Sequence, residues 1–174
     1  MEKSYYVCSI ILNEKKKNLI QTIDSSEVDS FFLNKNGKIS LFESVECLKD
    51  FAEKKVIPIN LEENHVLNLD YIKKFSIVKD GEIEIDCEEV LHAWNFFDDI
   101  CNTLNLPFEG KVRDALTDKI YDKLFFGNNI PAIKPDDVPD YIPVWIPEEE
   151  KRLSEVLSNG MWVFKSNVDL EQCA

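Results

Sequence analysis

Histidine is scarce in this chain. Only His65 and His92 occur, far apart and without HExxH or any comparable ligand spacing, so metal-hydrolase chemistry has no motif to stand on. Glycine is scarce too: Gly37, Gly81, Gly110, Gly127 and Gly160 are each isolated at an expected element boundary, which excludes the GxGxxG and P-loop phosphate cradles. No GxSxG is present, and Ser44, the serine best placed before a helix, is read as an N-cap. The five cysteines, Cys8, Cys47, Cys87, Cys101 and Cys173, are odd in number, scattered and free of CxxC pairs. That pattern argues against a disulfide framework and against a zinc site, and reduced thiols are expected. Cys47, Cys87 and Cys101 fall at apolar positions of helical patterns and are read as packing residues. No apolar run approaches the roughly 20 residues that cross a bilayer. The start Met1-Glu2-Lys3-Ser4 lacks the basic segment and cleavage site of a signal peptide, so a cytoplasmic location is expected.

Positive charge is missing from one part of the chain. Residues 1–81 carry 12 Lys/Arg against 13 Asp/Glu and residues 82–174 carry 8 against 20, so the net charge of -13 divides as -1 and -12. Between Glu82 and Gly110 there are eight acidic residues and no cation, together with Trp94, Phe96 and Phe97. A one-signed surface speeds encounter with oppositely charged partners and suppresses like-charged ones. Such a segment suits a basic protein and repels nucleic acid. The small basic groups, Lys15-Lys16-Lys17 and Lys54-Lys55, have no interleaved aromatics on which bases could stack.

What is abundant is core material. A hydrophobic fraction of 44% with eleven Phe, five Tyr and three Trp in 174 residues fits one folded domain, β-rich over 1–85 and helical and acidic over 86–165. Tyr5 to Leu12 and Leu19 to Ile23 read as a hairpin around a polar turn at Asn13 to Asn18. Lys38 to Phe42 reads as a strand feeding a helix capped by Ser44, and Val56 to Leu61 as a further strand with Pro58 at its edge or start. A short helix is expected from Leu69 to Phe75, then a turn at Asp80-Gly81. The strongest helix runs from Cys87 to Leu104, with Asp86 as N-cap and Glu89 in a capping-box relation. Its stripe is Val90, Leu91, Trp94, Phe97, Cys101 and Leu104, with Glu88, His92, Asn95, Asp99 and Asn102 opposite. Helices are also expected over Val112 to Phe125 and from Pro147 to Asn159-Gly160. A strand over Met161 to Phe164 and a frayed end over Val168 to Ala174 would follow. Five of the seven prolines stand between Ile130 and Pro147, which makes that segment irregular backbone, with Tyr141 and Trp145 as its anchors. The predicted fold is α+β: a mostly antiparallel sheet from the first half packed against about four helices.

Three stretches carry a likeness: Trp94-Asn95-Phe96-Phe97-Asp98-Asp99, then Ile120 to Asn129, then Trp145 with the Glu148-Glu149-Glu150 helix and Asn159-Gly160. Over roughly residues 38 to 165 the chain resembles the immunity proteins of bacterial contact-dependent growth inhibition and related polymorphic toxin systems. That resemblance implies a cytoplasmic protein, not an enzyme and without a cofactor, that binds a cognate toxin domain, often a nuclease, and covers its active site or substrate surface. A nuclease that grips phosphates is basic, so its inhibitor can place carboxylates where phosphates would lie. The candidate partner-binding residues are Glu88, His92, Asn95, Asp98 and Asp99 on the long helix and Asp136, Asp137 and Asp140 in the proline-rich segment. Asp98 and Asp99 point about 100° apart on a helix, which is not the geometry of a converging acid/base pair. Two other classes stay open: a metal-dependent enzyme using clustered carboxylates, and an acidic DNA mimic that blocks a DNA-binding protein.

Overall fold

The computed structural model describes residues 2–62, 65–76 and 84–173; the expected Asp80-Gly81 turn lies outside them. β1 (Lys3–Leu12) and β2 (Lys15–Asp24) form an antiparallel hairpin in register from Lys3↔Asp24 to Leu12↔Lys15. Its turn is only Asn13 and Glu14, with φ of 54° and 61°, the doubled left-handed geometry that matches strand twist in two-residue hairpins. The three lysines Lys15, Lys16 and Lys17 therefore lie in the strand, not in the turn expected from their polarity. β3 (Asp29–Phe31) pairs antiparallel with β2. β5 (Ile59–Asn60) and β6 (Leu67–Asn68) add short parallel pairings to β1. The sheet is mostly antiparallel, and the fold is α+β.

The hairpin separates two cores by the period-two alternation of its side chains. Ile10 and Leu19 face a large cluster that also holds Phe97, Ile100, Ile120, Leu153 and Phe164. Val7 and Ile20, on the opposite face, meet Phe42, Cys47 and Leu48. That smaller cluster is roofed by α1 (Val45–Lys55), whose Ser44 side chain accepts from the Cys47 N–H, 3.0 Å. Val56 ends α1 in the left-handed region, φ 57°, and is 88% exposed. A β-branched residue held there cannot continue into a strand, so the expected strand from Val56 shrinks to the two residues after Pro58.

α2 (Leu69–Lys73) continues into a 3-10 turn at Lys74–Ser76. α3 (Cys87–Leu104) is central: it buries Cys87, Val90, Leu91, Ala93, Trp94, Phe96, Phe97, Ile100 and Cys101. This is wider than the predicted stripe, because α3 packs against the sheet side at Phe31 and against two helices. These are α4 (Ala115–Gly127) and α5 (Pro147–Ser166). Asp86 caps α3 by accepting from the Glu89 N–H, 3.1 Å, but Glu89 does not close the expected box. Its carboxylate turns away to accept from the Asn68 N–H, 2.7 Å, and to meet His65 Nε2 at 3.1 Å.

Two expectations at the C-terminus are overturned. Met161 to Phe164 belong to α5, not to a strand, and Gly160 is interior to that helix. Residues 168–170 are not frayed but form β7 (Val168–Leu170), parallel to β4 (Ile39–Leu41). Cys173, beyond β7, is joined to Cys47 by a disulfide with Cα atoms 5.3 Å apart. The expectation of five reduced cysteines therefore fails for this pair: residues 126 apart in sequence meet only once β7 has docked on β4, a juxtaposition that spacing cannot reveal. Cys8, Cys87 and Cys101 are free. Burial, with help from Asp99, pushes the Cys8 thiol up to about 12, and burial with Asp98 raises Cys101 to about 11, so both stay protonated and unreactive.

Candidate protein-interaction surface

The wet face of α3 carries the predicted residues in unequal states. Glu88, His92 and Asn95 are exposed. The His92 ring lies 4.7 Å from that of His65, and Asn95 Oδ1 accepts from the Tyr121 hydroxyl, 3.2 Å. Asn95 and Asp98 border a groove of about 630 Å³ between α3 and α4, which also holds Lys111, Arg113, Asp118 and Tyr121. Asp98 Oδ1 is 3.2 Å from Lys111 Nζ, and the same ammonium donates to Asn102. Its charge is thus largely answered from within the chain.

Asp99 is partly buried. Burial first, then the charges of Asp29 and Asp98, push its carboxyl up to about 7 against the relief from Lys111. Asp98 and Asp99, expected alike as partner-binding carboxylates on the long helix, are therefore different groups. Asp98 is an internal ion-pair partner, and Asp99 is an acid close to half-protonated at neutral pH.

The proline-rich segment is organised by α4. Asn129, with φ 49°, receives the Tyr141 N–H on its Oδ1 at 2.7 Å and donates from Nδ2 to the Tyr141 carbonyl at 3.0 Å. Lys123 donates to the Val144 carbonyl at 2.7 Å and to Glu149 at 2.6 Å, and lies 5.5 Å from the Trp145 ring centroid. Glu149, 0% exposed, also meets Lys119 at 3.1 Å and accepts from the Ile146 N–H. Burial opposes its charge, but Lys123, Lys119 and the Ile146 N–H together hold its carboxyl below the ordinary range. This buried cluster fixes the start of α5 and the end of the proline-rich segment.

Of the two anchors expected there, Trp145 packs on the core while Tyr141 is exposed. Asp136, Asp137 and Asp140 are exposed, and Asp140 takes the Lys134 ammonium at 2.5 Å. Charge counting missed the apolar half of this surface. Phe126, Ile133, Val138, Tyr141, Ile142 and Val144 all stand exposed in it. The signal was present as isoleucines and valines spaced among prolines with no helical or strand period to bury them.

These features define an α+β protein whose outer surface combines excess carboxylate with a local apolar patch. No family model matches the chain, and no curated protein does. Among solved structures it is similar to the crystal structure of the SatS C-terminal domain in complex with bromine. The TM-score is 0.56 at 14% identity, over 97% of this chain and 94% of that one. At that identity the likeness shows the fold alone. Among the described residues no helix is long and apolar enough to cross a membrane, and no group of three or more His, Cys, Asp or Glu is placed to hold a metal ion.

Proposed function

We propose that this chain is an immunity protein that binds a basic cognate toxin domain, with a nuclease as the expected toxin class, and covers its active site or substrate surface. The observation that carries this reading is how the second half spends its cations. Among the described residues, Lys111, Arg113, Lys119, Lys123, Lys134 and Arg152 lie within 4.0 Å of Asp98, Asp118, Glu149, Asp140, Glu109 or Glu155. Six of this half's eight cations are thereby taken up inside the chain. Exposed Glu88, Asp122, Asp136 and Asp137 have no such cation beside them among the described residues. That surplus repels nucleic acid and steers a basic protein inward. The string resemblance supplies the class of partner. The cytoplasm is the compartment this reading requires.

The test is co-expression with the products of the adjacent genes, capture of any bound protein, and calorimetry at two salt concentrations with a nuclease assay. Nanomolar binding that weakens with salt and silences the partner's nuclease activity is expected. Failure to capture a basic partner, or binding indifferent to salt, would remove the immunity reading.

A further inference from the structure

The end of α4 and the proline-rich segment enclose an apolar pocket of about 370 Å³, whose walls include Phe125, Phe126, Ile130, Ile133, Val138 and Tyr141. We infer that this pocket is the socket for one bulky apolar side chain of a basic protein partner, whose neighbouring Lys or Arg residues meet Asp136, Asp137 and Asp140. The inference rests on the reading of this chain as a binder of basic proteins and names where, and by what side chain, the contact is made.

The pocket is built into the chain rather than left by a loose loop. Asn129 clamps Tyr141 through two hydrogen bonds of 2.7 and 3.0 Å. Lys134 donates to the Val138 carbonyl at 3.0 Å, and the Ile133 and Lys134 N–H groups both donate to the Ile130 carbonyl at 3.0 Å. Pro131, Pro135, Pro139 and Pro143 fix φ along the segment, and the Pro143 ring packs so close to α4 that a Cβ on Gly127 would stand 2.9 Å from its Cγ. Pre-organised pockets that accept an aromatic or aliphatic anchor are where interfaces concentrate their binding energy.

The occupant follows from what surrounds the opening. At about 370 Å³ the pocket has room for an aromatic or branched aliphatic side chain. Lys134, the charged residue of the lining, is already engaged by Asp140 and the Val138 carbonyl. Exposed Asp136, Asp137 and Asp140 directly adjoin the lining residues Pro135, Val138, Pro139 and Tyr141 in the chain, so the charge beside the pocket is net negative and favours cationic flanks. Ile142, 80% exposed, and Val144 continue the apolar surface along the same extended stretch. That strip offers a protein partner area that a small molecule in the pocket would leave wet.

The experiment uses the full chain, isotope-labelled, followed by NMR at the Ile133 and Val138 methyls while three capped pentapeptides are titrated in. The first has phenylalanine between two pairs of lysines, the second alanine in that place, and the third phenylalanine between pairs of glutamates. The first should shift both methyls with at least tenfold tighter binding than either other peptide. Ile133→Ser should abolish the shifts at Val138, and Asp136→Asn with Asp137→Asn should weaken the first peptide and flatten its salt dependence. Both sites are exposed, so a thermal melt should show both variants folded. Equal binding of the alanine peptide would overturn the socket, equal binding of the glutamate peptide would overturn the basic partner, and methyl shifts that track protein concentration alone would make the occupant a second copy. This readout is independent of toxin capture: peptide binding with no captured toxin sinks the immunity reading and leaves the socket standing.

Discussion

Asp99 shows how one residue's surroundings can reverse what its position on a helix wheel suggests. It sits on the polar side of α3, yet it shares its space with Asp29 and Asp98, whose effect Lys111 offsets in part. Folded, its carboxyl keeps a proton up to about pH 7; unfolded, it releases that proton near the model-peptide value of about 3.9. As pH rises between those values the unfolded chain ionises first, so this group lowers stability progressively and its full cost is present above about pH 7. Asp99→Asn removes the cost while keeping the shape. It should stabilise the protein by about 1–2 kcal/mol at pH 8, a figure reduced from the full shift because the side chain keeps some solvent. The gain should fade toward pH 4. Thermal melts of both proteins at pH 4.5 and 8 check this, and an equal gain at both values would show that Asp99 is ordinary in its acidity. At the same scale Glu149 runs the other way. It read as one of three acids at a helix start, but it is the buried centre of a cluster with Lys119, Lys123 and the Ile146 N–H.

Among the elements, α5 carries the clearest lesson about how far local signals reach. Pro147 and three glutamates marked its start correctly, because helix N-termini favour proline geometry and negative charge whatever lies around them. Asn159-Gly160 falsely marked its end. Gly160 is there because α3 crosses α5 at that point, where an added Cβ would stand 2.3 Å from Phe97 Cγ. Asn159 meanwhile receives the Glu109 N–H at 3.0 Å. Both reasons are tertiary, so they carry no local periodicity. Gly160→Ala therefore has two opposed effects: it gains up to about 1 kcal/mol of helix propensity and overpacks a close crossing at about 1–3 kcal/mol. A net loss is expected, seen as a lower urea midpoint with unchanged slope, and a higher midpoint would mean that the crossing is loose. The hairpin, the caps at Ser44 and Asp86 and the length of α3 were legible for the same reason as Pro147, being set within a few residues. In the candidate site, the exposed acids of the proline-rich segment were legible from charge, whereas the pocket beside them required α4 and that segment to meet.

At the scale of the whole molecule, the chain closes on itself at its end. β7 lies along β4, Asn34 Nδ2 donates to Asp169 at 2.8 Å, Ser40 Oγ donates to Glu171 at 2.7 Å, and Cys173 is bonded to Cys47 on α1. The last residues thus tie the smaller core under α1 to α5, which feeds β7 from the larger one. A bridge across 126 positions restricts the unfolded chain strongly, and loop-closure entropy alone would contribute about 4–5 kcal/mol. Reducing the disulfide should leave the fold in place, because the β4–β7 hydrogen bonds and the buried cores do not depend on it, but should lower stability by several kcal/mol. Cys173→Ser should match the reduced wild-type protein and should not respond to reductant. Urea unfolding of both proteins with and without dithiothreitol, with thiol counting by mass spectrometry, makes the comparison. If the oxidised and reduced wild type unfold at the same midpoint, the bridge does not constrain the chain. If instead the variant is weaker than the reduced wild type, Cys173 contributes by packing against α1 and not through the bond.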